Sequence, residues 1–289
     1  MFVYSKFCYI FAENTSMQRL LYTAILALLA LASWAQRYEN CIDSIDRYVE
    51  KQNWEMAERM LLTALKQRPG EPTNFILLSN LGTVHRNMGR LDDALADYNN
   101  ALAITPNAVT IIRNRALLYV DMDSTIRAYD DFERIMRLDA SDLDAKYFHG
   151  MLALGFGKFE QAQTDFEAVL TADKNNLDAK RGVALLYKIR GNFPNAIALY
   201  SEVIKHENRQ SNYLSRAECY LATDQFPEAS ADLVEAQKLD PANPDLYVLK
   251  ASLADRQYRY DDAERFATEA IRLGADSESL KHFFRKRPK

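Results

Sequence analysis

Three aspartates, Asp92, Asp93 and Asp97, fall within six residues of the stretch 89–106. Asp93 and Asp97, four apart, share one face of a helix and could hold a divalent cation. A calcium loop also needs alternating oxygen ligands, a central Gly and a terminal Glu, and none of these is present. The four histidines, His85, His149, His206 and His282, form no HExxH or other paired ligand spacing, and no nucleophile elbow occurs. Cys8, Cys41 and Cys219 lack CxxC spacing, which argues against a zinc site or a disulfide framework. Gly150, Gly155 and Gly157 do not make a phosphate-cradling loop. The reading is no catalytic residue, no metal and no cofactor.

The elements that carry these residues must be helices. Nine Gly and eight Pro in 289 residues are too few for a sheet-rich chain with many tight turns, and Ala, Leu and the charged residues favour helix. Hydrophobic residues make up 48% and charged residues 26%, as in a soluble globular protein. A formal net charge of -4 gives no electrostatic case for nucleic acid.

The stretch 89–106 is one copy of a repeat. Its Ala94, Tyr98 and Ala101 recur as Ala128, Phe132, Ile135, then Ala162, Phe166, Val169, then Ala196, Tyr200, Val203. The series continues as Ala229, Leu233, Ala236 and Ala263, Ala267, Ala270, and begins upstream at Ala57, Leu61, Ala64. The leading alanines are spaced 37, 34, 34, 34, 33 and 34 residues apart. Twelve residues before each stands Ile45, Gly82, Ala116, Gly150, Ala184, Ala217 or Ala251, six of them small. Two antiparallel helices per repeat that cross closely explain both columns, with the aromatic or leucine filling the adjacent gap. Pro69, Pro106 and Pro241 end three of the second helices. Asp92 and Asp93 then belong to a first turn, where the helix dipole favours acids. Asp97 aligns with Asp131, Asp165 and Asp232 at a position read as outward, and His85 and His149 at packing positions of first helices.

Leu78, Leu81, Gly82, His85, Ala94, Tyr98, Ala101 and Pro106 fall on the pattern of the tetratricopeptide repeat (TPR) family, with His85 where Tyr is usual. Tyr119, Tyr187 and Tyr220 take that place in later repeats. The chain resembles this family over residues 38–277, in units 38–74, 75–108, 109–142, 143–176, 177–209, 210–243 and 244–277. The resemblance implies an all-α, right-handed superhelical solenoid of seven TPR helix-turn-helix repeats. Residues 278–289 read as a capping helix through Leu280, Phe283 and Phe284, with a solvated basic end.

The resemblance also implies a concave groove lined by first helices that receives a peptide or a partner protein. Repeats two and three offer Ser79, Asn80, Thr83, Arg113 and Asn114, with Asn80 and Asn114 placed to stack as an amide ladder. Repeats four and five offer Tyr147, Phe148, Met151, Arg181, Leu185 and Lys188, an apolar floor edged by cations. The alternative stays open that Phe148 and Leu185 pack between repeats and the asparagines are merely solvated. Thr110, Asp144 and Phe148 stand where family members that clamp acidic chaperone tails carry far-side cations, which argues against that partner.

The N-terminus predicts export. Arg19 precedes an uncharged run from Leu20 to Ala32, and Ser33 and Ala35 place small residues at a cleavage site before Gln36. Thirteen apolar residues are few for a bilayer span, which takes about 20. Met17 is the expected start, although a membrane anchor over 20–32 is the alternative. Removing residues 1–35 takes Lys6, Glu13 and Arg19 with it and leaves a net charge of -5 and no integral span. The leader resembles those of exported envelope TPR proteins of Gram-negative, Bacteroidetes-like bacteria. The expected role is therefore a non-catalytic scaffold or adaptor in the periplasm, or secreted, for a protein or peptide ligand. A glycan- or peptidoglycan-associated module, or an accessory subunit of an envelope enzyme, is the alternative. Either end of a solenoid can stack on a second copy, so the sequence leaves the oligomeric state open.

Overall fold

The computed structural model of the protein describes residues 41–284, so the leader, its cleavage site and the basic end at 285–289 lie outside the described residues. Residues 41–50 are helical and are termed α1. There follow α2 (Trp54–Gln67), α3 (Asn74–Asn87), α4 (Leu91–Ile104), α5 (Val109–Asp121), α6 (Thr125–Leu138) and α7 (Leu143–Gly155). The series closes with α8 (Phe159–Ala172), α9 (Leu177–Ile189), α10 (Phe193–His206), α11 (Gln210–Ala222), α12 (Phe226–Leu239), α13 (Pro244–Arg256) and α14 (Tyr260–Arg272). A short 3₁₀ helix, Lys281–Phe284, comes last. The described residues contain no strand, and the protein is an all-α repeat solenoid by class. No helix among them is long and apolar enough to cross a membrane.

Contacts divide the chain into two compact units, one up to Asp131 and one from Phe132. Within each, a helix packs on the next along the chain, and first helices of neighbouring pairs also touch: α3 with α5, α7 with α9, and α11 with α13. The alanine columns explain this packing. Ala57, Ala94, Ala128, Ala162, Ala196 and Ala229 have no exposed surface, nor do the small residues Ala116, Ala184, Ala217 and Ala251. Tyr98, Phe132 and Phe166 are likewise fully buried. Glycine makes room for two of these rings. A Cβ on Gly82 would lie 2.8 Å from the Tyr98 ring, and one on Gly150 would lie 2.9 Å from the Phe166 ring. The small-residue column is therefore a socket for the aromatic sixteen residues on, and not only a point where two axes approach.

A further column sets the turns. Gln52, Gly89, Asp123, Gly157, Gly191, Asp224 and Tyr258 all have φ between 54° and 75°. Each stands five residues before a leading alanine and ends a first helix in the left-handed conformation. The next amide then bonds back five residues, as in Arg90 N–H to the His85 carbonyl (2.9 Å) and Arg259 N–H to the Ala254 carbonyl (2.8 Å). Tyr258 takes up that conformation with a bulky side chain that is 78% exposed.

Second helices end where proline was expected to end them: α2, α4 and α12 stop at Gln67, Ile104 and Leu239, two residues before Pro69, Pro106 and Pro241. The C-terminal segment corrects the sequence reading. It forms a short 3₁₀ helix rather than an α-helix, burying Leu280 and Phe283 against the alanines of α13 and α14. Phe284 is 39% exposed and takes no share in the cap.

Candidate functional site

The first helices of the pairs carry a stripe at positions three and four apart, and the residues singled out from the sequence fall along it. Their environments differ. Ser79 is buried, and its carbonyl accepts a hydrogen bond from the Thr83 hydroxyl at 3.1 Å. Thr83 also shares a hydrogen bond of 3.0 Å with the Tyr98 hydroxyl, which fixes it to the second helix of its own pair. Arg113 is half-buried. Asn80 and Asn114 are half-buried as well, and their side-chain amides meet no hydrogen-bond partner among the described residues.

In the second unit, Tyr147 and Phe148 belong to an aromatic stack. Phe148 lies on Phe132 with centroids 5.2 Å apart and planes inclined by 16°. Tyr147 meets Phe148 edge-on at 5.3 Å and Phe166 at 6.1 Å. The position of Phe148 is a seam position. In the next pair it is Gly182, whose absent Cβ would come 2.6 Å from the Phe166 ring, and then Ser215, which hydrogen-bonds the Tyr200 hydroxyl. Met151 and Leu185 remain half-buried beside this seam.

The cationic edge expected around this floor is not a row of free charges. The Arg181 guanidinium is tied to Asp178 and Glu207, and the Lys188 ammonium to Glu218 at 2.6 Å. A carboxylate on a first helix or at a helix end neutralises each of them. Missing from the sequence reading were three exposed apolar residues on the same stripe: Ile76 (49% exposed), Val120 (42%) and Ile189 (47%). Ile76 stands one helical turn before Asn80, and Val120 one turn after Leu117, so their register alone places them there.

The aspartate column is the larger correction. Asp131, Asp165 and Asp232 are buried rather than outward, and each pairs with a base sixteen residues upstream. Arg115 and Arg216 grip Asp131 and Asp232 through two parallel N–H bonds of 2.6–2.8 Å. The third arm of each fork crosses to the preceding pair, Arg115 to Asn99 Oδ1 (2.8 Å) and Arg216 to Ser201 Oγ (2.9 Å). His149 Nδ1 lies 2.6 Å from Asp165 Oδ2, so it does more than fill a packing position. In the second pair the same role falls to His85, between Asp97 at 2.6 Å and Glu58 of the preceding pair at 3.1 Å. Burial pushes the Asp97 carboxyl up, and the hydrogen bond from His85 does not offset it. Partial burial also pushes Glu58 up, but hydrogen bonds from His85 and Arg90 outweigh it and hold Glu58 below the usual carboxylate range. Asp92 and Asp93 are exposed, as a first turn in water should be, and Asp93 meets only Arg90 at 2.8 Å. Among the described residues, no group of three or more His, Cys, Asp and Glu is arranged to hold a metal ion.

One buried cluster gives a pH-dependent readout. Burial pushes the Tyr200 phenol up to about 12 and the Cys219 thiol up to about 11, and both pack with Ala184 and Ala196. A folded state that keeps its proton longer than the unfolded chain is favoured below the unfolded pKa. That stability is complete below the ordinary thiol and phenol values of 9.0 and 10.0 and is lost as pH rises to about 12. Urea midpoints measured across this window should fall less steeply for a Tyr200→Phe, Cys219→Ala double variant than for the parent. Parallel curves would show that the cluster does not govern the alkaline limb.

A family model described as TPR repeat matches residues 82–123, and one described as tetratricopeptide repeat matches 147–212 and 214–278. The crystal structure of a tetratricopeptide repeat protein from Parabacteroides merdae is similar at 29% identity and a TM-score of 0.73. That likeness covers 86% of this chain and 97% of the other. Mouse sperm-associated antigen 1 is 27% identical over 201 residues, 58% of this chain, and the chain spans only 22% of that protein's length. The mitochondrial import receptor subunit TOM34 of Pongo abelii is 26% identical over 209 residues, 58% of this chain and 68% of its own.

Proposed function

The chain belongs to the tetratricopeptide repeat family, and on that premise we propose that it is a non-catalytic scaffold that binds a partner protein or peptide along its first helices. The observation that carries this reading is the exposed stripe. Three large aliphatic side chains, Ile76 and Val120 in the first unit and Ile189 in the second, stand 42–49% exposed on first helices, and Ile76 lies one turn from Asn80, whose side-chain amide, like that of Asn114, meets no hydrogen-bond partner among the described residues. Exposed apolar groups next to hydrogen-bonding groups that none of the described residues uses are what a partner's backbone and side chains can cover together. The family likeness to an import receptor subunit is in keeping with a protein ligand. The place of action we propose is the cell envelope, on the strength of the leader sequence between Arg19 and Ala35.

Crosslinking in the native cell envelope, followed by affinity capture, tests both parts. An Ile76→Glu, Val120→Glu variant should fold normally, since surface substitutions shift stability by about 0.5 kcal/mol or less. Its partner recovery should drop by roughly tenfold, as expected when a charge enters an apolar contact. Undiminished recovery would move the binding surface elsewhere. Fractionation with N-terminal sequencing should give a mature chain beginning at Gln36, and a mature chain that starts at Met1 or Met17 rejects export.

A further inference from the structure

Between α11 and α13 the stripe opens into a trough of about 350 Å³, lined by Leu214 and Glu218 on one side and Asp245, Val248 and Leu249 on the other. Asp245 is aligned with Ser211 at the start of the neighbouring helix, and Glu218 stands seven residues further on. At 1.5 Å per residue, the two carboxylates mark positions about 10 Å apart along an aliphatic floor. The trough has no cationic lining residue. Glu218 is shared with Lys188, which reaches it from α9, whereas the Asp245 carboxylate meets no hydrogen bond or ion pair among the described residues. The Asn243 side chain is already used: its Oδ1 caps the start of α13, and its amide bonds Gln210.

We infer that this trough seats an arginine or lysine side chain of the partner segment, with its methylene stem on Leu214, Val248 and Leu249 and its cation on Asp245. The inference rests on the scaffold reading above and names the chemistry of what the second unit takes. An aliphatic stem ending in a charge matches the lining, since long basic side chains lay their methylenes on apolar surface while the head keeps a polar partner. A purely aliphatic anchor would leave Asp245 facing apolar atoms, and an acidic one would meet two carboxylates. Guanidinium suits the site better than ammonium, because its planar fork can bond a carboxylate in two places.

The test uses three pools of short random peptides, fixed at the centre as arginine, glutamate or leucine, titrated against the full chain by fluorescence polarisation. The arginine pool should bind about tenfold more tightly than the glutamate pool at low salt, and the preference should shrink at about 0.5 M salt. Asp245→Asn with Glu218→Gln should bring the two pools to near parity, while Asp245→Glu keeps the preference. Melting curves of the variants should lie close to that of the parent, because the Asp245 side chain supports no contact among the described residues and the Lys188–Glu218 pair is a surface pair. Equal binding of the leucine and arginine pools, unchanged by the acid substitutions, overturns the cation seat and leaves the scaffold reading standing. If no pool binds, the seat is also overturned, and the crosslinking result with Ile76→Glu, Val120→Glu then decides the scaffold reading separately.

Discussion

Alanine at Gly182 should destabilise the protein by about 1–3 kcal/mol, the usual cost of forcing an added carbon into a packed interior. The new Cβ would fall 2.6 Å from two carbons of the Phe166 ring, well inside van der Waals contact. The ring has nowhere to go. It is fully buried, Gly150 of α7 lies against the same ring edge at Cε1 and Cδ1, and Tyr147 sits 6.1 Å away. Gly155, at the end of α7, is the control, because a Cβ there meets nothing within 4 Å. Gly155→Ala should therefore be neutral or stabilising by up to about 1 kcal/mol, the backbone-entropy advantage of alanine. Equilibrium urea unfolding measures both. The cause is separable by a double-mutant cycle: in a Phe166→Leu background, the loss from Gly182→Ala should shrink by at least about half, a coupling expected of residues in contact. An undiminished loss in that background would mean that helix geometry, and not the ring, sets the requirement for glycine.

The alanine, aromatic and small-residue columns were legible because burial selects residue type. A position that always meets another helix must be small or apolar, and seven copies show it seven times. The turn column was harder to see, although it has the same spacing. Only Gly89, Gly157 and Gly191 carry the residue that a left-handed turn favours, while Gln52, Asp123, Asp224 and Tyr258 bear the strain instead. The aspartates were misread for a different reason. Polarity predicts solvent only when no partner is available, and the partner of Asp131 is sixteen residues upstream on another helix. A signal was nevertheless present, since Arg115–Asp131, His149–Asp165 and Arg216–Asp232 all share that spacing. The binding stripe was legible in its register but not in its accessibility. Whether Phe148 faces water or Phe132 depends on the neighbouring repeat, and although Asp178 stands three residues before Arg181 on one helix, the other carboxylates that meet Arg181 and Lys188, Glu207 and Glu218, lie beyond the helix that carries the cations.

These buried pairs join the two helices of a repeat, the arginine forks also reach the preceding one, and cutting one from one side should be the most costly polar change in the second unit. Asp232→Ala would strand the Arg216 guanidinium, whose side chain is 17% exposed, without the carboxylate that holds it in two places. Leaving one partner of a buried pair uncompensated costs about 3–5 kcal/mol. The link to Ser201 of the preceding pair would loosen with it, so amide exchange should rise in α10 and α11 before it rises elsewhere. Removing both partners should be far milder. The repeat built from α9 and α10 already has Val183 and Leu199 at the corresponding places and packs without an ion pair there. An Arg216→Val, Asp232→Leu double variant should therefore recover to within about 1 kcal/mol of the parent, as replacing a buried pair by apolar groups is often neutral. Asp93→Ala supplies the surface comparison: its carboxylate is 55% exposed and pairs only with Arg90, so its loss should cost at most about 1 kcal/mol. A double variant as unstable as Asp232→Ala alone would show that the polar joint is required in itself. Equal losses for Asp93→Ala and Asp232→Ala would instead return the whole column to the solvated surface where its composition first placed it.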